Sequence, residues 1–147
     1  MLYVANIGDT RAVLSKSGQA ERMSIDDKCD NIDEQIRIKS VGGLIALNRV
    51  GGVLAVTRAF GDHALRESGL TAVPHIIKYT LKPFDKFLVI ASDGVWDEMS
   101  DQDAISLCKD DVSTKQIAQQ IVKTAVQRGS KDNVSVIVIR FNGSNII

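Results

Sequence analysis

Short apolar runs recur along this chain, and most of them end in glycine or aspartate. One such run, Phe87-Leu88-Val89-Ile90, leads directly into the stretch ASDGVWDEMSD at residues 91–101. Apolar runs this short, bounded by turn residues, predict buried strands, because helices need a longer periodic pattern. A chain with many such runs is expected to fold into sheets of short strands that are joined by tight turns.

The same pattern predicts strands from one end of the chain to the other. Ser17-Gly18 and Gly51-Gly52 are predicted as tight turns between neighbouring strands, since glycine accepts the backbone conformations that such turns need. The predicted strands are 2–7, 11–14, 19–23, 44–50, 53–56, 73–81, 86–91 and 133–141.

Helical signals are fewer and lie between or after the strands. Isoleucines spaced along residues 32–38, with charges between them, predict a short helix that stops at Gly42-Gly43. Ser100-Asp101-Gln102-Asp103 and Ser113-Thr114-Lys115-Gln116 have the form of capping boxes and predict two further helix starts. Behind the second start, apolar residues at helical spacing continue until Gly129.

These elements together predict an α+β fold, an antiparallel β-sandwich flanked by helices. The 147 residues are enough for one domain with a sizeable core. A buried-looking strand starts one residue after Met1, with no element before it. We therefore expect the sandwich to be incomplete at its N-terminus.

Composition narrows the partners that this chain is expected to have. Lys and Arg balance Asp and Glu at 18 each, so the formal net charge of zero predicts no nucleic-acid or anionic membrane partner. No apolar run approaches the ~20 residues of a membrane-spanning helix. Cys29 and Cys108 are far apart and lack metal-type spacing, which is typical of a reducing, intracellular compartment.

Four aspartates stand at the ends of apolar runs or close to them. Asp9 and Asp93 each follow a run, Asp132 precedes the last run, and Asp97 lies four residues beyond Asp93. A sheet presents side chains at its strand ends to a common rim, so these carboxylates could converge. For any single aspartate beside glycine, a plain turn or helix cap is the alternative interpretation.

Convergence of these carboxylates would require cations or shifted pKa values. Two carboxylates ~6 Å apart repel by roughly 3 kcal/mol at an effective dielectric of about 20, and several such pairs would rival a domain's whole stability. Hard divalent ions such as Mg²⁺ and Mn²⁺ take oxygen ligands of this kind. A simple Ca²⁺- or Mg²⁺-binding structural domain remains an alternative at this point.

Four motifs taken together resemble the protein phosphatase 2C family, the metal-dependent Ser/Thr protein phosphatases of PPM type. They are VANIGDTRAVL (4–14), GGVLAVTRAFGD (51–62), FLVIASDGVWDEMSDQDA (87–104) and GSKDNVSVIVIRF (129–141). The motifs occur in family order and span nearly the whole chain. The resemblance implies a central β-sandwich flanked by helices, with a binuclear Mg²⁺ or Mn²⁺ centre in a cleft at one end.

The resemblance also implies roles for individual residues. Asp93 is similar to an acid that ligates one of the two core metals, and Asp132 to the acid of the family's Asp-Asn motif, also a core-metal ligand. Asp9, with Asp93 and Asp97, resembles the set that binds a third, weaker metal in many members.

Further roles follow for neighbouring residues in these motifs. Gly94 and Asn133 are expected to lie next to the metals. Glu98 and Asp101 are expected to cap the following helix, and Trp96 to be core beneath the acidic loop.

Other family motifs are not found in this sequence. These are the arginine that binds the substrate phosphate, a neighbouring Glu-Asp pair, and the Asp-Gly-His-Gly-Gly stretch with the bridging aspartate. We therefore identify no catalytic residue and no phosphate-binding residue. His63 and His75 are predicted to be structural, and Arg58 to brace the sheet through a charge-assisted bond. IDDK (25–28) matches the family's Asp-His-Lys-Pro stretch only loosely.

The resemblance therefore predicts that residues 1–147 are the C-terminal portion of one PPM-type phosphatase domain. We expect a metal-dependent Ser/Thr phosphatase present as a partial catalytic domain that is inactive alone. The alternative is a naturally truncated pseudophosphatase that acts as a binding or regulatory module. The expected partners are phosphoserine and phosphothreonine proteins in the cytoplasm, or alternatively the nucleus. Exposed sheet edges also predict a homodimer or strand exchange.

Overall fold

The computed structural model describes residues 1–141, so residues 142–147 of the predicted domain lie outside the described residues. The strands are β1 (Leu2–Asn6), β2 (Arg11–Lys16), β3 (Gln19–Arg22), β4 (Ile45–Ala46), β5 (Arg49–Val50), β6 (His75–Tyr79), β7 (Asp85–Ala91) and β8 (Val136–Arg140). The α-helices are α1 (Ile32–Ser40), α2 (Asp93–Trp96), α3 (Asp101–Ser106) and α4 (Thr114–Gln127), with a 3-10 turn at His63–Leu65.

The chain divides into two compact units. The first comprises residues 1–4, 10–24 and the described residues from 77 onward, and the second comprises residues 5–9 and 25–76. None of the helices within residues 1–141 has the length and hydropathy that a bilayer crossing requires.

The first unit is built on a four-stranded antiparallel sheet in the order β3-β2-β7-β8. In its register Val13 lies opposite Val89, and Val89 lies opposite Val138. Because side chains alternate across a strand, this row of valines faces one side of the sheet. That side packs against α2, α3 and α4 and forms a continuous core with Trp96 and Ile121.

The opposite side of the sheet carries the alternate residues. Leu14 lies opposite Leu88, and both are buried against apolar residues of β1 and β6, including Val4 and Ile77. β1 and β6 form a two-stranded sheet. The first unit thus has helices on one side of its central sheet and strands on the other, which confirms the predicted α+β fold of antiparallel sheets and helices.

Both predicted capping boxes are present. Ser100 caps α3 and exchanges hydrogen bonds with Asp103, and Ser113 caps α4 and exchanges them with Gln116. The prediction that Glu98 and Asp101 cap the helix was wrong, because the N-cap residue is Ser100, whose hydroxyl accepts from the N–H of Asp103.

In the second unit the predicted strand 44–50 is a short hairpin. Leu47 and Asn48 adopt left-handed backbone angles, with φ of 53° and 55°, and join β4 to β5. This pair of positive φ angles is typical of the two-residue hairpin turn that reverses a chain most tightly. Gly51-Gly52 is a turn as predicted, but residues 53–56 form only isolated bridges and the predicted strand there was wrong.

We predict that Ile121→Ala in α4 destabilises the protein by about 2–5 kcal/mol, because Ile121 is fully buried in the core between helices and sheet. Urea unfolding followed by circular dichroism measures this change. Val126→Ala on the exposed face of the same helix is the control and should change stability by less than ~0.5 kcal/mol. Equal losses from both substitutions would contradict this assignment of the core.

Candidate functional site

The first candidate site lies where β7 ends and β8 begins. Asp93 starts α2 directly after β7, and Asp132 lies in the loop before β8. Ala91 pairs with Val136, so the two strand ends are neighbours in the sheet. The hydroxyl of Ser92 donates to the carbonyl of Asn133 at 3.0 Å, which joins the two acidic segments.

Gly94 allows a close approach between these segments. A Cβ at Gly94 would lie 2.5 Å from the carbonyl oxygen of Asn133, a distance that side chains do not tolerate. The carbonyl of Gly94 in turn accepts a hydrogen bond from the hydroxyl of Ser130 at 2.7 Å. The structure therefore brings together Gly94 and Asn133, the two residues predicted to lie beside the metals.

The carboxylates of Asp93 and Asp132 make local hydrogen bonds. Oδ1 of Asp93 accepts from the N–H of Gly94 at 2.9 Å, and Oδ1 of Asp132 accepts from the N–H of Asn133 at 2.6 Å. Within residues 1–141 neither carboxylate takes part in an ion pair. Unpaired carboxylates on adjacent strand ends are a donor set that fits a hard divalent ion, although two acids supply only part of a coordination shell.

Asp97 and Asp9 complete the predicted ligand set. Asp97 is exposed at the C-terminal end of α2, and its N–H donates to the carbonyl of Asp93 at 2.9 Å. Asp9 is half-buried and belongs to the second unit. Asp9 and Asp97 remain predicted ligands of a third metal, and the convergence of all four aspartates stays a prediction.

Trp96 lies beneath this acidic loop, as predicted. It is 6% exposed, and its Nε1 donates to the carbonyl of Ala91 at 2.8 Å. The guanidinium of Arg11 lies 5.1 Å from the centre of the indole ring. Arg11 also donates to Asp101 at 2.6 Å, and Arg22 contacts the other oxygen of Asp101 at 2.9 Å. Asp101 therefore anchors two arginines of the sheet.

A second cluster, within the second unit, was missed by sequence reasoning. One ligand atom each from Asp27, Glu34 and His75 lies within 4.8 Å of the others. Asn31 caps α1 by accepting from the N–H of Asp33 at 3.0 Å, and this helix start places Glu34 in the first turn. We call these three residues, with Arg37, Thr57 and Arg58, the buried ionic cluster.

Glu34 is the centre of the buried ionic cluster and is only 2% exposed. Arg58 donates to Oε1 at 2.6 Å, while Arg37 and Thr57 donate to Oε2 at 2.7 and 2.8 Å. Burial alone would raise the pKa of Glu34, but hydrogen bonds from Arg58, Arg37 and Thr57 outweigh burial and lower the pKa to about 2. Glu34 is thus a permanently ionised anchor for two arginines.

Asp27 is fully buried beside this pair. Its Oδ2 accepts from the N–H of Gly8 at 2.9 Å, while its Oδ1 lies 3.1 Å from Nε2 of His75 and 3.3 Å from Nε of Arg58 without well-aligned hydrogen bonds. Burial raises the pKa of Asp27, and the Gly8 N–H and the Arg58 charge only partly offset burial.

The buried ionic cluster already contains its cations. A divalent ion ~4 Å from the guanidinium of Arg58 would be repelled by roughly 8 kcal/mol at an effective dielectric of about 20. Arg58 makes charge-assisted bonds as predicted, although to α1 and to the carbonyl of Val73. His75 lies beside Asp27 in this cluster, a structural position. IDDK matches a family motif only loosely and Glu34 lies in none of the motifs, so the sequence did not indicate that these carboxylates lie close together.

The family model for protein phosphatase 2C matches residues 1–134. Probable protein phosphatase 2C 52 of Oryza sativa subsp. japonica is 44% identical over 95% of this chain and 29% of its own length. Probable protein phosphatase 2C 69 of Arabidopsis thaliana is 43% identical over 95% of this chain and 40% of its own length.

Solved structures agree with this match. A phosphatase from a pathogenic strain of Toxoplasma gondii superposes with a TM-score of 0.81 at 30% identity, over 97% of this chain and 48% of its own. A sex-determining protein of C. elegans gives 0.83 at 25% identity, over 94% and 36%.

These matches define a phosphatase-type α+β fold. The chain belongs to the protein phosphatase 2C family. The chain spans between 29% and 51% of the length of the curated relatives that it matches.

We predict that Glu34→Gln destabilises the protein by about 3–5 kcal/mol, because removal of one partner leaves buried arginine charge uncompensated. The midpoint of urea unfolding at neutral pH measures the loss. Asp33→Asn changes the exposed carboxylate next to Glu34 in the same helix turn and serves as the matched control. An unchanged midpoint for Glu34→Gln would show that this anchor contributes nothing to folding.

We further predict an acid-dependent loss of stability that depends on Glu34. Its pKa is about 2 when folded and about 4.3 in an unfolded chain, so its contribution is complete above the unfolded pKa and is lost as pH falls through the folded value. This contribution amounts to about 3 kcal/mol. The raised pKa of Asp27 acts in the opposite direction, because it favours folding when Asp27 is protonated.

Urea unfolding at a series of pH values from neutral to strongly acidic tests this linkage. The midpoint of the unsubstituted protein should fall more steeply with acidification than that of Glu34→Gln. Parallel curves for the two proteins would contradict the role assigned to Glu34.

Proposed function

We propose that this chain is part of a metal-dependent protein serine/threonine phosphatase and contributes half of its metal site. The observation that carries the proposal is the joining of Asp93 and Asp132 at adjacent strand ends through the Gly94–Asn133 contact. Membership of the protein phosphatase 2C family supports the reaction class.

Asp93 and Asp132 would hold Mg²⁺ or Mn²⁺, since their carboxylate oxygens are hard ligands without cationic partners among the described residues. When bound, such an ion supplies positive charge and acidifies a water molecule near the substrate phosphate. Asp97 and Asp9 would serve a third, weaker metal. Gly94 and Ser92 act as positioning residues. Gly94 allows the close approach of the two strand ends, and the hydrogen bond from Ser92 to Asn133 maintains their spacing.

We further propose that the chain is inactive by itself. Two carboxylates cannot clamp two metals, and the sequence contains neither the family's bridging aspartate nor its phosphate-binding arginine. Its substrates as part of a whole phosphatase would be phosphoserine and phosphothreonine proteins in the cytoplasm or nucleus. No nucleic acid or membrane partner is proposed, since the net charge is zero.

A second candidate function is a binding or regulatory module without turnover. Both candidates share the Asp93–Asp132 site and differ in whether the remaining catalytic residues act together with this chain.

We predict that the chain hydrolyses a chromogenic phosphate monoester at the background rate with or without Mn²⁺, because the bridging carboxylate is not supplied. Release of the chromophore at saturating Mn²⁺ is the measurement. Turnover that EDTA abolishes and that Asp93→Asn removes would overturn the proposal that the chain is only part of the catalytic unit.

Metal binding provides a separate readout of the same site. Calorimetric titration with Mn²⁺ should show weak binding that Asp93→Asn or Asp132→Asn reduces by about tenfold or more. Asp111→Asn removes an exposed carboxylate elsewhere and should leave the titration unchanged. If both site variants bind Mn²⁺ as the unsubstituted protein does, the assignment of these two ligands is wrong.

A further inference from the structure

The loop between α4 and β8 begins with Ser130, whose backbone is fixed by the end of the helix. Gly129 adopts a positive φ of 111°, and its N–H donates to the carbonyl of Val126 at 3.1 Å. The N–H of Ser130 donates to the carbonyl of Ala125, also at 3.1 Å. These two bonds form the Schellman motif, which ties the residue after the glycine to the last turn of a helix. Since Ala125 belongs to the core between helices and sheet, Ser130 starts the loop from a fixed point.

The side chain of Ser130 reaches across to α2. Its hydroxyl donates to the carbonyl of Gly94 at 2.7 Å. In a regular helix this carbonyl would accept from the N–H four residues further on, that of Glu98. The N–H of Glu98 instead donates to the carbonyl of Val95 at 3.1 Å. The hydroxyl of Ser130 thus replaces the helical donor, and the buried position of Gly94 makes a lost donor costly because little water can substitute for it.

Two hydrogen bonds close a ring around the proposed metal ligands. One is the bond from Ser130 to Gly94, and the other is the bond of 3.0 Å from Ser92 to Asn133. Each proposed ligand lies on one of the two short segments that connect these bonds. A residue on a closed ring has fewer accessible backbone conformations than a residue on an open loop. We define the acidic ring as residues 92–94 and 130–133.

The acidic ring also orients the two carboxylates. Oδ1 of Asp93 accepts from the N–H of Gly94 at 2.9 Å, and Oδ1 of Asp132 accepts from the N–H of Asn133 at 2.6 Å. Gly94 and Asn133 are themselves in contact across the ring, because a Cβ on Gly94 would lie 2.5 Å from the carbonyl oxygen of Asn133. Both carboxylates are therefore tied to the same contact. A shift of the loop at Ser130 would move Asp132 relative to Asp93.

We propose that Ser130 is a positioning residue of the metal site, which sets the separation of Asp93 and Asp132 without touching the ion. This role rests on the proposed function, since it requires that these two acids bind Mg²⁺ or Mn²⁺. Without the hydroxyl of Ser130 the ring is open, and only the bond from Ser92 to Asn133 still joins the two acidic segments. The carboxylates then sample a wider range of separations. An ion must order them on binding, which lowers its affinity.

The affinity of the whole chain for Mn²⁺ tests this role, and electron paramagnetic resonance of the free ion measures it even when binding is weak. Ser130→Ala should weaken Mn²⁺ binding by about tenfold, as expected for the loss of a group that supports a metal ligand. Ser113→Ala removes the cap at the other end of α4 and is the control. It should lower the midpoint of urea unfolding and leave the Mn²⁺ affinity unchanged.

A matched pair of variants isolates the hydroxyl from the shape of the side chain. Threonine and valine are similar in shape, but only threonine can donate a hydrogen bond. Ser130→Thr should bind Mn²⁺ as the unsubstituted protein does, whereas Ser130→Val should bind as weakly as Ser130→Ala. Far-ultraviolet circular dichroism verifies that each variant is folded. The comparison of threonine with valine tests the hydroxyl even if Ser130→Ala does not fold.

Asp93→Asn distinguishes failure of this role from failure of the proposed function. If Asp93→Asn weakens Mn²⁺ binding but Ser130→Ala and Ser130→Val do not, the metal site stands and Ser130 has no positioning role. If Ser113→Ala weakens binding as much as Ser130→Ala does, the effect comes from helix stability and the positioning role is overturned. If Asp93→Asn leaves the affinity unchanged, the proposed function fails and the role of Ser130 fails with it.

Discussion

The structure of the first unit depends on the pairing of β7 with a strand on each side. β2 and β8 both run antiparallel to β7, and their registers align Val13, Val89 and Val138 on one face and Leu14, Leu88 and Ile139 on the other. A shift of one residue would exchange the two faces and expose both cores, so burial strongly specifies this register. The same pairing makes the end of β7 and the start of β8 neighbours, which brings Asp93 and Asp132 to one rim of the sheet.

The second unit depends on a different interaction, the ionic contact of Glu34 with Arg58 and Arg37. A buried carboxylate is stable only when hydrogen-bond donors replace its hydration, and Glu34 has three such donor side chains. Asp27 lies beside it and faces His75. Arg58 joins α1 to the carbonyl of Val73, and Arg37 joins it to the carbonyls of Thr57 and Gly69, so the cluster connects this helix to the segments around it.

The two units also differ in how far sequence patterns predicted them. The helix starts at Ser100 and Ser113, and the strand before Asp93, follow from local rules of capping and apolar run length, and the structure contains them. The hairpin at Leu47-Asn48 was missed because a leucine in a left-handed turn carries no local signal. The buried ionic cluster was missed because charged residues in a sequence predict exposure unless their partners are known.

The sequence by itself determined the fold class and the family, because the spacing of apolar residues, the turn residues and the order of the motifs are all visible in the sequence. It also indicated Asp93 and Asp132 as metal ligands through their motifs. Only the tertiary structure decided that Gly94 contacts Asn133 and that Glu34 neutralises two arginines. These facts depend on contacts between residues that are distant in the chain. Strand register and burial determine those contacts only after the whole sheet has formed.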